Sequence, residues 1–159
     1  MNGGEMKEGL LQMAFVLFIT ASAWQDIRKK SVSVITFQAA AFAGLLLRVW
    51  HIWELIQGGS QSLWVLWTAL ADTGASMLIG VMLWLLSAAA GGAVGMGDGS
   101  FFLVSGIYLG FWKNAVLFAG GLLLCFPWCV YMLLKGYRNM RIPFLPFAGL
   151  AGLGVIVLG

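Results

Sequence analysis

The chain carries three aspartates, Asp26, Asp72 and Asp98, and each borders an apolar stretch. A carboxylate is costly to hold in such surroundings, so each is a functional candidate whose partner must be named. Asp26 follows the first apolar run in Trp24-Gln25-Asp26-Ile27-Arg28, and Asp98 sits in Gly95-Met96-Gly97-Asp98-Gly99 between two later runs. Two carboxyls brought together cannot both ionise easily, so one stays charged while the other keeps a proton near neutral pH. Such a pair is acid and base in one site. The charged member draws a proton from water, the protonated member hydrogen-bonds a scissile carbonyl, and the roles exchange as the tetrahedral intermediate collapses. Either aspartate suits either role.

Each aspartate also has a plainer reading. Asp26 could pair with Arg28 at a helix end, and Asp98 could be the solvated residue of a tight turn. The glycines around it, Gly95, Gly97 and Gly99, suit backbone that bends sharply or meets another backbone closely. That stretch can seat an extended peptide. Asp72 precedes Thr73 and fits a helix cap near the opposite interface.

Other chemistries find little support. Cys125 and Cys129 share one face of an apolar helix, but no His or acidic ligands accompany them in a metal pattern, so we expect packing residues. His51, the single histidine, lies beside Trp50 and Trp53 where an apolar run ends, which fits an interfacial residue. Ser22 and Ser100 lack a convincing base. We therefore expect no metal, no cofactor and no covalent nucleophile.

The elements that must position these residues are apolar. Of 159 residues, 61% are hydrophobic and 9% charged, against about 25% charged in soluble domains. We expect an all-α polytopic membrane protein, a single integral membrane domain over residues 1–159, with lipid as its surroundings. Apolar runs span Leu10 to Trp24, Val32 to Leu47, Thr73 to Ala90, Phe101 to Trp112, Ala115 to Leu134 and Phe144 to Leu158, which predicts a six-transmembrane-helix bundle. Several fall short of the ~20 residues a bilayer core requires, so flanking residues must join them or the bilayer must thin locally. Leu63 to Ala71 is expected as an interfacial or tilted lead-in to the third crossing.

Ala21-Ser22-Ala23 resembles a signal-peptidase site, but Glu5, Lys7 and Glu8 precede the first run and Arg28, Lys29 and Lys30 follow it, so we expect a retained helix with the N-terminus outside. Arg28, Lys29, Lys30, Lys135, Arg138 and Arg141 then face the cytoplasm, with Lys7, Arg48 and Lys113 opposite. Asp26, Asp98 and the Pro143 to Pro146 stretch share the cytoplasmic side, and Asp72 lies across the membrane. Basic residues at helix ends report topology, so a nucleic-acid partner is not expected. Gly106 and Gly110 form a GxxxG step, and Gly149, Gly152 and Gly154 recur on the last helix, as close packing requires. Pro127 should kink the fifth helix.

Asp26-Ile-Arg-Lys-Lys-Ser-Val32, Gly95-Met-Gly-Asp98 and Ile142-Pro-Phe-Leu-Pro-Phe147 together resemble the type IV prepilin peptidases, GxGD-type intramembrane aspartic peptidases. The likeness extends over nearly the whole chain. It implies that Asp26 and Asp98 are the catalytic pair, that Gly95, Gly97, Gly99, Pro143 and Pro146 shape the site or bind substrate, and that the substrate is a prepilin-like membrane protein. Its leader would be cut at the cytoplasmic face of the cell membrane, between a basic leader and a hydrophobic helix. Two departures stand out: Ser100 replaces a common Lys, and Val32-Ser33-Val34 replaces Ile-Pro-Asn. The CxxC-bearing cytoplasmic region linked to N-methylation in larger members has no counterpart here. Competing readings are a non-catalytic assembly subunit of a pilus or secretion system, a small transporter or channel lined by Asp26, Asp72 and Asp98, and a presenilin-like peptidase, which usually has Tyr where this chain has Gln25.

Overall fold

The computed structural model describes residues 3–29, 33–57, 62–89, 95–136 and 144–158. Lys30, Val32, Arg138, Arg141, Ile142 and Pro143 lie outside them, and so does the side chain of Lys29. The described chain is all-α: α1 Gly3–Lys29, α2 Val34–Gln57, α3 Ser62–Ala89, α4 Met96–Leu134 and α5 Leu145–Leu158. Four helices among the described residues are long and apolar enough to cross a membrane, and α5 is a shorter apolar helix. Large hydrophobic side chains cover the outside, with Ile35, Trp112, Leu123 and Leu134 all exposed. In water this would be a continuous adhesive surface; the natural surroundings for it are lipid tails, and the apolar helices suggest a membrane protein.

The longest element is a folded-back pair. Residues 16 apart on one straight helix stand about 24 Å apart, yet the rings of Phe102 and Phe118 meet at 5.2 Å. The reversal is at Gly110, whose φ of 74° and ψ of 177° are the only non-helical dihedrals inside α4. This region of conformational space is essentially reserved for glycine. Gly110 is therefore the break between an arm of residues 96–109 and an arm of residues 111–134, and both glycines of the GxxxG step are closely packed, Gly110 against the Asp72 carboxylate. A Cβ on Gly106 would sit 2.7 Å from the Ser76 hydroxyl of α3. Helical dihedrals continue through Pro127.

A buried polar staple holds the two arms. Asn114, fully buried, donates from Nδ2 to the carbonyls of Ser76 (3.1 Å) and Phe102 (3.2 Å) and accepts from Ser105 Oγ at 2.7 Å. In an apolar interior these bonds replace ones that water cannot supply. Around the staple runs a chain of aromatic rings: Phe18 of α1 stacks on Phe101 of the first arm at 5.3 Å, Phe101 meets Phe102 edge to face, and Phe102 reaches Phe144 at the start of α5. These contacts fix α1, the first arm of α4 and the start of α5 relative to each other, and those three segments carry the candidate site.

The third helix differs from its sequence expectation. Leu63 to Ala71 is not a separate lead-in: α3 runs unbroken from Ser62 to Ala89. At 28 residues it is roughly 42 Å long, and a tilt accommodates such a length.

Candidate active site

Asp26 lies near the end of α1 and is buried, 8% exposed. Its Oδ2 accepts the Leu145 backbone N–H at 3.3 Å, across 119 residues of chain. That N–H is one of the unsatisfied donors at the start of α5, and an aspartate oxygen from another helix meets it. The neighbouring Gln25 ties α1 to the start of α2: its Oε1 accepts the Ser33 N–H at 2.9 Å, and its Nε2 donates to Thr36 Oγ1 at 2.8 Å. The plainer reading of Asp26 as an Arg28 partner is not what forms. The Arg28 guanidinium stands over the Trp24 ring, 4.5 Å from its centre.

Asp98 lies in the first turn of α4, with its N–H donating to the Gly95 carbonyl at 3.0 Å. It is partly buried, and its carboxyl is close enough to that of Asp26 to feel its charge. Residues 26 and 98, from different helices, thus lie toward the same end of the bundle, with Asp26 beside the start of α5. Pro146 is partly buried in the first turn of α5. Pro143 lies outside the described residues.

The glycines divide by role. Met96 to Gly99 is helix and not an open loop, and Gly95 is the residue before it. Gly99 is buried against α3, where a Cβ would strike Trp84 and lie 3.2 Å from the Gly80 carbonyl. Gly95 would bring a Cβ to 3.1 Å from Asp98 Oδ2, so its bareness leaves room for that carboxyl. Gly97 has nothing within 4 Å of a Cβ, and the packing does not require a glycine there. Trp84 Nε1 donates to the Met96 carbonyl (3.2 Å) and Ser100 Oγ (3.3 Å), while Ser100 Oγ donates to Met96 at 3.1 Å. The residue at the resembled family's Lys position therefore fastens the helix start.

Sequence reading missed Cys125 and the Leu145 amide as neighbours of the site. Cys125 is buried and close enough to Asp98 to feel its charge, because the fold-back at Gly110 returns the second arm alongside the first. The Cys125 and Cys129 sulfurs are 3.5 Å apart, and among the described residues no group of three metal-ligating side chains forms.

Asp72 lies away from the Asp26 end, and it does not cap its own helix, which begins ten residues earlier at Ser62. Its Oδ1 accepts the Phe111 N–H at 3.0 Å and its Oδ2 pairs with Arg48 Nη2 at 3.1 Å. It thus caps the second arm of α4 from across the α3 interface. Arg28 and Lys135 sit at the Asp26 end, and Arg48 and Lys113 at the Asp72 end, as helix directions dictate. Compared with protein-family models, with curated proteins and with solved structures, the chain finds no match.

Proposed function

We propose that this chain is an intramembrane aspartic endopeptidase that removes the leader of prepilin-like membrane proteins, with Asp26 and Asp98 as its catalytic pair. The observation that supports this reading is that Asp26 and Asp98 lie at the same end of the bundle, within electrostatic reach of each other, on helices held by the Phe18–Phe101 stack and by the Leu145 N–H on Asp26. The motif resemblance supplies the substrate class. In the reaction, the charged aspartate takes a proton from water as the water oxygen bonds to the scissile carbonyl carbon. The protonated aspartate gives its proton to the carbonyl oxygen. Collapse of the tetrahedral intermediate returns a proton to the departing amine nitrogen as the C–N bond breaks, leaving a new carboxyl and a new amine. Water is the one species consumed, and both carboxyls are regenerated.

The proposal includes six crossings of the cell membrane, the two arms of α4 counting separately, with the N-terminus outside and the site facing the cytoplasm. The reversal at Gly110 supports that count, and the expected excess of basic residues at the Asp26 end supports that orientation. The channel reading is less favoured, because Asp72 is committed to Arg48 and to the Phe111 N–H and does not line a path with the other two. Co-expression with prepilins from the same genome tests the proposal. Leader removal should occur with the wild-type chain and stop with Asp98→Asn; cleavage that continues in that variant refutes the pair.

A further inference from the structure

Two thiols of α4 stand side by side within electrostatic reach of Asp98. Cys125 is buried, Cys129 is partly buried, both are free, and their sulfurs are 3.5 Å apart. They are four residues apart on the second arm, where helical dihedrals run unbroken through Pro127 and keep both on one face. We infer that Cys125 and Cys129 form a dithiol site for a monosubstituted trivalent arsenical, R–As=O, and that its capture there blocks the neighbouring aspartates.

The sulfur spacing selects this chemistry over three others. Helix neighbours four apart keep their Cβ atoms about 5–6 Å from each other, whereas a disulfide needs about 3.5–4.5 Å, so the pair is held as two thiols. A linear two-coordinate ion needs its sulfurs about 4.6 Å apart, twice an ordinary metal–thiolate length of ~2.3 Å. A tetrahedral ion such as zinc suits the spacing but asks for four ligands, and among the described residues no group of three forms. Trivalent arsenic is pyramidal, and its bonds to sulfur are close in length to those of zinc. Placed ~2.3 Å from each of two sulfurs 3.5 Å apart, it subtends about 100° between them, near the angle that its lone pair imposes. Its third bond goes to its own carbon, so two protein sulfurs complete it. Two S–H bonds break, two As–S bonds form, and the arsenic oxygen leaves as water with both thiol protons. Arsenic stays trivalent, and nothing is oxidised or reduced.

The blocking follows from place. The reversal at Gly110 returns Cys125 to the neighbourhood of Asp98, so a captured aryl–arsenic group crowds the side of the site where a peptide must lie. This half rests on the proposed function; the dithiol site does not.

The experiment adds one equivalent of phenylarsine oxide to the purified full chain in neutral detergent and reads intact mass. One phenyl–arsenic group per chain is expected, with two hydrogens lost. 2,3-Dimercaptopropanol should strip it, whereas 2-mercaptoethanol at equal thiol concentration should leave it in place. Cys125→Ala and Cys129→Ala should each weaken capture by roughly 10²–10⁴-fold, the loss of an intramolecular second bond. The site is overturned when the wild-type chain gains no adduct, when the monothiol strips it as readily as the dithiol, or when both variants capture it as well as wild type. The two thiol reagents on the wild-type chain decide without any variant. Leader removal should stop in the adduct and return with 2,3-dimercaptopropanol, and cleavage that persists at full occupancy overturns the blocking. A chain that cleaves no prepilin even untreated fails the proposed function, while its mass spectra still decide the dithiol site.

Discussion

Replacing Gly110 by alanine should weaken the bundle. The reason is twofold. At φ 74° and ψ 177° a residue with a Cβ is strained by roughly 1–3 kcal/mol. The new methyl would also be driven into the Asp72 carboxylate. Displacing that carboxylate removes a helix cap worth about 0.5–2 kcal/mol and loosens the Arg48 pair, whose partly exposed setting limits it to about 0–1 kcal/mol. Together these give roughly 1.5–6 kcal/mol, a Tm drop on the order of 10 °C for a chain of this length. Tryptophan fluorescence during thermal unfolding in mild detergent measures it. Gly74→Ala is the control, since nothing lies within 4 Å of a Cβ there and alanine suits a helix interior better. In an Asp72→Ala background the Gly110→Ala penalty should shrink to the strain alone, because the two changes share a partner. A Gly110→Ala chain that melts with wild type and Gly74→Ala would refute the argument.

Other outcomes follow from the same geometry. Asp26→Asn and Asp98→Asn should each reduce cleavage of a cognate prepilin by roughly 10²–10⁴-fold while the protein still inserts, read by leader removal and membrane fractionation; in the Asp26→Asn variant the side-chain amide oxygen can still accept the Leu145 N–H. Gly99→Val should destabilise the bundle by about 1–3 kcal/mol through overpacking against α3, whereas Gly97→Val should melt like wild type; equal melting of the two variants would contradict the packing described. Asn114→Leu should cost about 1–3 kcal/mol by removing its bonds to the Ser76 and Phe102 carbonyls and the acceptor for Ser105 Oγ, measured by thermal unfolding, and an unchanged Tm would show the staple to be dispensable.

The apolar runs were legible because burial in lipid imposes composition directly on sequence. The run at Phe144 to Leu158 agrees with α5, Leu145–Leu158, to within one residue. The break inside α4 was harder to read. Lys113 and Asn114 look like a polar loop between apolar runs, but Asn114 is fully buried and the chain turns earlier, at Gly110. A polar residue can mean exposure or an internal partner, and its neighbours in sequence do not distinguish the two. Asp72 shows the same difficulty: its identity announces a cap, but the helix it caps begins 39 residues later. At the candidate site, the two aspartates and the glycines were readable as types and spacings. Their surroundings were not, since the Leu145 amide and Cys125 arrive from distant segments through tertiary packing. Gly97 and Gly99 are alike in sequence, and the proximity of Trp84 and of the Gly80 carbonyl tells them apart.

The double engagement of Asp72 also bears on how the chain is made. Arg48 leaves the ribosome 24 residues before Asp72, and Phe111 leaves it 39 residues after. At roughly 5–20 residues per second, the ion pair is available for about 2–8 s before its second partner is synthesised. A guanidinium and a carboxylate that meet early can partition from the translocon as a neutral couple, which eases their transfer toward lipid. The amide of Phe111 then finds an acceptor already oriented, so the order of synthesis prepares a landing point for the turn that reverses the nascent hairpin.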